Sequence, residues 1–314
     1  MPGKALALAL MVALALAPKL QAQELPSQPP TREDLAADAR LFVNISRNAL
    51  DWDEPTEPFR MVGPLYFVGT KGLSSFLFVT SEGHILLNTA MPETGGLIVR
   101  SIRKLGFDPQ DIAIIINSHA HPDHAGAIAE LKELSGAQLA IMEGDVAAIE
   151  DGGRSDFHYG ADWQVMGFPP ARVDRVLRSG DTVTLGDVVL KAYKTPGHTR
   201  GSTSWVTQLS DGGKVYTVAF PDGVGINPGY RLVREPSYPG IEGDYRKTHQ
   251  TLELLQPDIW AAHHTQHFDM ERKRQRAETE GVAAWIDTDG YRKFIAGRRS
   301  AFEALVNAEL GVEQ

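Results

Sequence analysis

The chain of 314 residues reads as an α/β protein of two similar halves, packed sheet to sheet with helices outside. Three observations lead there. Short β-type runs punctuated by Gly and Pro turns give way to helical stretches, and that succession occurs twice. A hydrophobic fraction of 42% is enough for a real core. The apolar run Ile112–Ile116 stops at His119-Ala120-His121-Pro122-Asp123-His124, as a strand does when it delivers its end to a reaction centre.

The elements follow in order. Lys4 precedes the apolar run Ala5–Ala17, and Leu20-Gln21-Ala22-Gln23 comes next. A charged start, a dozen apolar residues and a small residue at the end match a secretory signal peptide over residues 1–22, too short for a membrane span. Residues 23–57 are expected to form a lead-in, Pro- and Ser-rich at Glu24–Thr31 and helical over Asp34–Ala49, packed on a domain that spans 58–314. In that domain Leu65–Thr70, Ser75–Val79 and His84–Asn88 read as antiparallel strands, separated by tight turns such as Lys71-Gly72 and Glu82-Gly83. Thr94–Leu105 reads as a helix, Ile112–Ile116 as a buried strand, Ala125–Leu134 as a helix and Gln138–Met142 as a strand. The alternation restarts with strands at Val173–Leu177, Thr182–Leu185, Val188–Thr195, Thr203–Leu209 and Lys214–Phe220, then a helix at Tyr245–Leu255. A short strand, Ile259–Ala262, and helices at Phe268–Glu280 and Tyr291–Leu310 close the chain. No linker separates the halves, which predicts one domain.

Composition narrows the chemistry. A net charge of −9 without long acidic or basic blocks argues against nucleic acid as partner and for a small molecule. There are no cysteines, so an exported protein of this sequence forms no disulfide and a metal site must use His, Asp and Glu.

Histidines recur at strand ends. Thr195-Pro196-Gly197-His198 follows one strand and Ala262-His263-His264 another. His119 and His121, two apart on an extended segment, point to the same side and can share an ion; His198 completes a three-His site with a position left for water. Asp123 and His124, beyond Pro122, face a second ion that His264 completes. Imidazole and carboxylate with open positions are the ligand set of catalytic zinc, and two Zn2+ ions are expected.

These motifs, with Pro-Gly-His about 75 residues after the first cluster and another strand-end His about 65 later, resemble the metallo-β-lactamase superfamily from about Pro58 to Glu278. Gly225-Ile226-Asn227-Pro228-Gly229-Tyr230, Tyr238-Pro239, Asp244-Tyr245-Arg246 and the loop Glu150–Phe157 are similar to subclass B3 β-lactamases. The resemblance implies an αβ/βα four-layer sandwich with a binuclear zinc site at the sheet edge. It also implies a periplasmic, monomeric enzyme that opens penicillins, cephalosporins and carbapenems by attack of a zinc-bound hydroxide, conferring antibiotic resistance. The ion on His119, His121 and His198 would polarise the amide carbonyl; the one on Asp123, His124 and His264 would bind the substrate carboxylate, and Asp123 would orient the nucleophile. Among the crowded His263, His264 and His267, the resemblance selects His264, with Phe268 four residues on. His263 is then a supporting neighbour and His267 a packing residue, while His84 and His249 are structural. His158 is a candidate substrate contact.

The sequence departs from that family in two places. The serines usual near the second metal fall on Gly223 and Gly225, so contacts to a substrate carboxylate are expected from Asn227 and the backbone of Gly223–Ile226. Asp222 could instead supply the bridging carboxylate of lactonases and glyoxalases if the register slipped by one; the Asn-Pro-Gly-Tyr anchor favours the first register. Another binuclear-zinc hydrolase, lactonase or glyoxalase-like thioesterase, is the alternative.

Overall fold

The computed structural model describes residues 49–312. The signal peptide, the Glu24–Thr31 lead-in and all but the end of the Asp34–Ala49 helix lie outside the described residues. No helix among the described residues is long and apolar enough to cross a membrane.

The first sheet has seven strands in sequence order: β1 (Phe59–Val62), β2 (Leu65–Phe67), β3 (Phe76–Thr80), β4 (Gly83–Leu87), β5 (Ile112–Ile116), β6 (Gln138–Met142) and β7 (Arg175–Leu177). Strands β1 to β4 are antiparallel, and β4 to β7 run parallel. Parallel pairing needs a crossover, and α1 (Gly95–Lys104) supplies it between β4 and β5, while α2 (Pro122–Ala125) and α3 (Ile128–Ser135) supply it between β5 and β6. The second sheet holds β8 (Thr182–Leu185), β9 (Val188–Lys194), β10 (Thr203–Asp211), β11 (Lys214–Phe220) and β12 (Ile259–Trp260), antiparallel except for β12 alongside β11.

Alternation along the strands decides what lies between the sheets. Phe76 and Phe78 on β3, and Ile85 and Leu87 on β4, point into a shared core with Trp205, Val218 and Phe220 from the second sheet. Leu77 and Leu86, between them, face the other way, onto Ile98 and Ile102 of α1 and Ile128 and Leu131 of α3. The first sheet is therefore covered on both faces, which explains the near-continuous apolar run of β5. On the second sheet's side, α6 (Ile241–Glu253), α7 (Met270–Glu280) and α8 (Thr288–Leu310) complete the covering. This is the two-sheet, helix-flanked fold expected from the sequence.

The departures are local and have local causes. The expected strand Leu65–Thr70 ends at Phe67, because the chain then turns: the Val68 N–H donates to the Ser75 carbonyl and the Thr70 N–H to the Leu73 carbonyl, both in the loop before β3. The expected helix Ala125–Leu134 is two pieces, broken at Gly126-Ala127. There the Gly126 N–H bonds the Ala90 carbonyl, and a Cβ at that glycine would lie 2.3 Å from the Pro92 nitrogen, so backbone meets backbone where a side chain would block it. Helix α8 starts at Thr288, three residues before the expected Tyr291, because Asp287 caps it by accepting from the Gly290 N–H at 3.0 Å.

Lys273 of α7 carries the most demanding buried charge. It is 2% exposed, lies 5.1 Å from the Trp260 ring, and pairs with Asp287 at 2.7 Å. Asp287 therefore serves as both helix cap and counterion. Replacing it leaves an ammonium stranded among aromatic rings, whereas replacing the lysine with an apolar side chain removes the charge altogether. Because Asp287 is about a third exposed, solvent screens part of the effect. Asp287→Ala is expected to cost about 2–3 kcal/mol, and Lys273→Met less than about 1 kcal/mol, in urea unfolding monitored by circular dichroism. The opposite ranking would show that the ion pair is not what matters there.

Candidate metal centre

Three chain segments meet at one edge of the two sheets. Strand β5 ends at Ile116, and Asn117-Ser118 lead into His119 and His121; Pro122 then starts α2, whose first turn carries Asp123 and His124. The β9–β10 loop brings His198, and the segment after β12 brings His263 and His264. Several bonds hold these loops across the sheets. The Thr203 N–H donates to the Ser118 carbonyl at 2.7 Å, and the Trp205 indole donates to the Asn117 carbonyl at 3.0 Å. The Ser74 N–H donates to the His263 carbonyl at 2.9 Å, and the Thr265 N–H to the Gly72 carbonyl at 3.1 Å, fastening the His263-His264 segment to the loop before β3.

The side chains come close together at this edge. His121 Nδ1 and His198 Nε2 are 3.1 Å apart, and the His119 ring lies 4.9 Å from that of His121 and 4.5 Å from that of His198. Asp123 Oδ2 is 2.9 Å from His124 Nε2 and 3.5 Å from His264 Nε2, with the His124 and His264 rings 5.0 Å apart. Donor atoms of His119, His121 and His198 fall within 4.8 Å of one another, as do those of His119, Asp123 and His124.

These residues fit zinc on three counts. The buried His119 Nε2 and His124 Nδ1 have no hydrogen-bond partner among the described residues, a costly state for polar atoms unless a ligand takes them. Two nitrogens bound tetrahedrally to one zinc at about 2.0–2.1 Å stand about 3.3 Å apart, close to the separation of His121 and His198. Two of the donors are also in the right protonation state: burial pushes His198 down to about 4 and His264 down to about 3, so their lone pairs are free at neutral pH. Burial likewise opposes ionisation of Asp123, but His124 and His264 beside it hold its carboxyl well below the ordinary value.

Each imidazole of the three-His group is gripped from behind. His119 Nδ1 faces the Asp222 carboxylate at 3.1 Å, His121 Nε2 faces Asp156 Oδ2 at 3.5 Å, and His198 Nδ1 bonds the Gly225 carbonyl at 3.0 Å. A fixed back nitrogen selects the tautomer and aims the front one. Burial works against a charge on His121, yet Asp156 outweighs it and holds that imidazole above its usual value. Asp156 is in turn fixed by the N–H groups of His158 and Tyr159, at 2.9 and 2.6 Å.

The remaining candidates surround the cluster. His263 is buried and its Nδ1 meets the Asn88 amide at 2.9 Å, while Asn88 Oδ1 accepts from the Ser118 N–H at 2.8 Å. His267 takes a hydrogen bond from Arg298 at 2.9 Å, and its ring lies 5.3 Å from that of His264. His158 stands at the rim between Tyr159 and Tyr230, its pKa lowered to about 4 by burial. Asn227 faces the Tyr159 phenol. Gly223 is buried against the Thr195 carbonyl with φ +86°, and Asp222 beside it is turned to the back of His119. Trp52, from the described end of the lead-in, packs its ring 5.4 Å from that of His264. His84 and His249 lie buried away from the cluster, against Phe107 and Phe302.

Sequence reading missed the supporting roles of Asp156, Asn88 and Trp52, and did not assign Asp222 to the back of an imidazole. Acids and amides next to Gly or at strand ends were the available signal: Asn88 follows β4 directly, and Asp156 comes shortly after Gly152-Gly153.

Comparison with known proteins agrees with this architecture. The family model described as the metallo-beta-lactamase superfamily matches residues 69–211. The native FEZ-1 metallo-beta-lactamase from Legionella gormanii superposes with a TM-score of 0.80 at 38% identity, covering 82% of this chain and 98% of that one. BJP-1, a subclass B3 metallo-beta-lactamase of Bradyrhizobium japonicum, gives 0.79 at 34% identity over 85% of this chain and 98% of its own. Among curated proteins, a hydroxyacylglutathione hydrolase from Bradyrhizobium is 30% identical over 115 residues, 37% of this chain. The chain spans about a third of the length of the curated relatives it matches, 35% for the first two. With two covered sheets, a histidine cluster at their edge, and more than a third of residues shared with FEZ-1 over nearly its whole length, the chain belongs to the metallo-β-lactamase superfamily and is a hydrolase of that kind.

Proposed function

We propose that this protein is a binuclear-zinc β-lactamase that opens the amide bond of penicillins, cephalosporins and carbapenems, acting in the periplasm after loss of residues 1–22. His119, His121 and His198 would hold one zinc, and Asp123, His124 and His264 the other. The chemistry that zinc supplies when bound is Lewis acidity, which brings deprotonation of water near neutral pH and polarises a carbonyl. The chain's own residues do the rest. Asp123, ionised between the two groups, is placed to orient the attacking water and hold its proton on a carboxylate oxygen. Trp52, Tyr159 and Tyr230 wall the cluster, and Asn227 and His158 at the rim offer polar contacts to a substrate carboxylate.

The observation that carries the β-lactam reading is the orientation of Asp222. A bridging carboxylate, as expected for a thioester or lactone hydrolase, would stand among the front nitrogens; Asp222 sits instead behind His119, against Nδ1. The relatives named hydroxyacylglutathione hydrolases support the alternative of thioester hydrolysis, and substrate turnover separates the two. Rapid hydrolysis of nitrocefin and imipenem, abolished by a chelator and restored by zinc, is expected. Turnover of lactones or glutathione thioesters alone would replace this reading with the alternative.

Gly223 explains the missing serine. A Cβ there would lie 1.8 Å from the Thr195 carbonyl oxygen, and φ is +86°, so no side chain fits without moving the backbone that carries Asp222. Gly223→Ser is expected to lose at least about 3 kcal/mol of stability and to lower zinc uptake through His119, with no gain in substrate affinity. An increase in affinity with unchanged melting temperature would contradict this packing.

Acid should dismantle the centre. His198 and His158 are held at about 4 and His264 at about 3, against 6.5 for the free side chain, so the unfolded chain takes up protons first. The stability this leaves is full above pH 6.5 and falls as pH drops from 6.5 toward 4. Protons also compete with metal for the same nitrogens. The chelator-treated protein is expected to melt at progressively lower temperature between pH 7.5 and pH 5 in scanning calorimetry; a flat or rising profile would refute it.

A further inference from the structure

Asp145 lies outside the ligand set but touches both of the loops that deliver the three-His group. It follows β6, in the turn Glu143-Gly144-Asp145, and is 3% exposed. Its Oδ2 accepts from the Ala120 N–H at 2.8 Å and from the Thr199 hydroxyl at 2.8 Å, and its Oδ1 accepts from the Gly201 N–H at 2.7 Å. Ala120 is the residue between His119 and His121, and Thr199 is the residue after His198. One carboxylate therefore joins the β5–α2 loop of the first sheet to the β9–β10 loop of the second.

The contact is close on every side. A Cβ at Gly201 would lie 2.4 Å from the Asp145 nitrogen, and a Cβ at Gly144 would lie 2.2 Å from the Arg200 carbonyl oxygen. Two glycines thus let the β6–α4 turn, where α4 is Val146–Asp151, press backbone to backbone on the His198 loop. Ser202 braces the other side of Thr199, its hydroxyl taking the Thr199 N–H at 3.1 Å. The chemistry of a carboxylate suits the place: all three neighbours are donors, and only an acceptor-only group satisfies them together.

We infer that Asp145 is a positioning residue for the metal centre, setting the separation of His119 and His121 from His198 and so the zinc affinity of that group. This rests on the zinc reading given above. An asparagine at this place is nearly isosteric but presents an NH2 group to at least one of the three donors, so the loops must part there. The two loops end in ligands whose nitrogens are 3.1 Å apart, and a displacement of a few tenths of an ångström at Asp145 is transmitted directly to that gap.

The test is zinc binding by the full-length protein, measured by competition with a chromophoric chelator, alongside the visible spectrum of the cobalt-substituted protein. Asp145→Asn is expected to bind one zinc equivalent 10- to 100-fold more weakly, the range typical of residues that orient ligands, and to change the cobalt bands, at a temperature where it remains folded by circular dichroism. Thr199→Val, which removes one donor and leaves the carboxylate, should show a smaller loss of the same kind, and it decides the question by the same criterion if Asp145→Asn does not fold. Folded variants with zinc affinity within twofold of the wild type and unaltered cobalt bands would overturn the inference, whatever their melting temperatures. Wild-type protein that takes up no zinc would overturn the metal reading itself, and this inference with it.

Discussion

Everything in this site depends on holding imidazole nitrogens face to face inside protein. His121 and His198 point nitrogens at each other across 3.1 Å, and His119 Nε2 and His124 Nδ1 are buried with no hydrogen-bond partner among the described residues. Left to themselves, such side chains would rotate to find donors or water, since an unsatisfied buried polar atom costs about 1–3 kcal/mol. His119, His121 and His198 stay because their other nitrogens are already committed, to Asp222, Asp156 and the Gly225 carbonyl, and because the loops carrying them are bonded across the sheets. The stability given up at the front is a reserve that a cation can recover on binding.

That requirement shapes the fold around the edge. Neither sheet alone can supply the cluster: β5 provides His119 through His124, while β9 and β12 of the other sheet lead to His198 and His264. The aromatic core of Phe76, Phe78, Trp205 and Phe220 sets the spacing between sheets, and Trp205 also donates its indole N–H to the Asn117 carbonyl, two residues before His119. A core residue is in this way coupled to ligand geometry. Asn88 does the same from β4, with its side chain shared between the Ser118 N–H and the His263 ring.

Much of this was legible in the sequence, for a definite reason. Ligands must lie near one another in space, and the fold economises by taking four of them from one strand end, which leaves His119-Ala120-His121-Pro122-Asp123-His124 as a visible cluster. The strand Val188–Lys194 was legible because half-buried antiparallel strands alternate. What escaped is what depends on contacts between distant residues. Asp156 and Asp145 look like ordinary loop acids until the chain is folded, and no periodicity marks the residue that an imidazole will turn its back on. The breaks in helices are similar: Gly126 interrupts the helix because the Ala90 carbonyl and Pro92 lie against it, neither of which is near in sequence.

Asp222 is the second acid at this edge, and it supports an imidazole from behind rather than entering the front of the centre. Here two constraints act on it together: the Ser204 hydroxyl takes the Asp222 N–H at 2.8 Å and donates to its carbonyl at 3.3 Å, and Gly223 is pressed on the Thr195 carbonyl. The backbone is thereby held on both sides of the side chain, and the carboxylate finds its partner in His119 Nδ1. A front-facing position would take the carboxylate away from His119 Nδ1, leaving that nitrogen with the Ser118 hydroxyl at 3.3 Å. The centre keeps an ionised carboxylate, Asp123, among the imidazoles and uses Asp222 to fix one of them. The acid on the open side of this centre is therefore Asp123, and the backbone beside Asp222 keeps the second carboxylate behind His119.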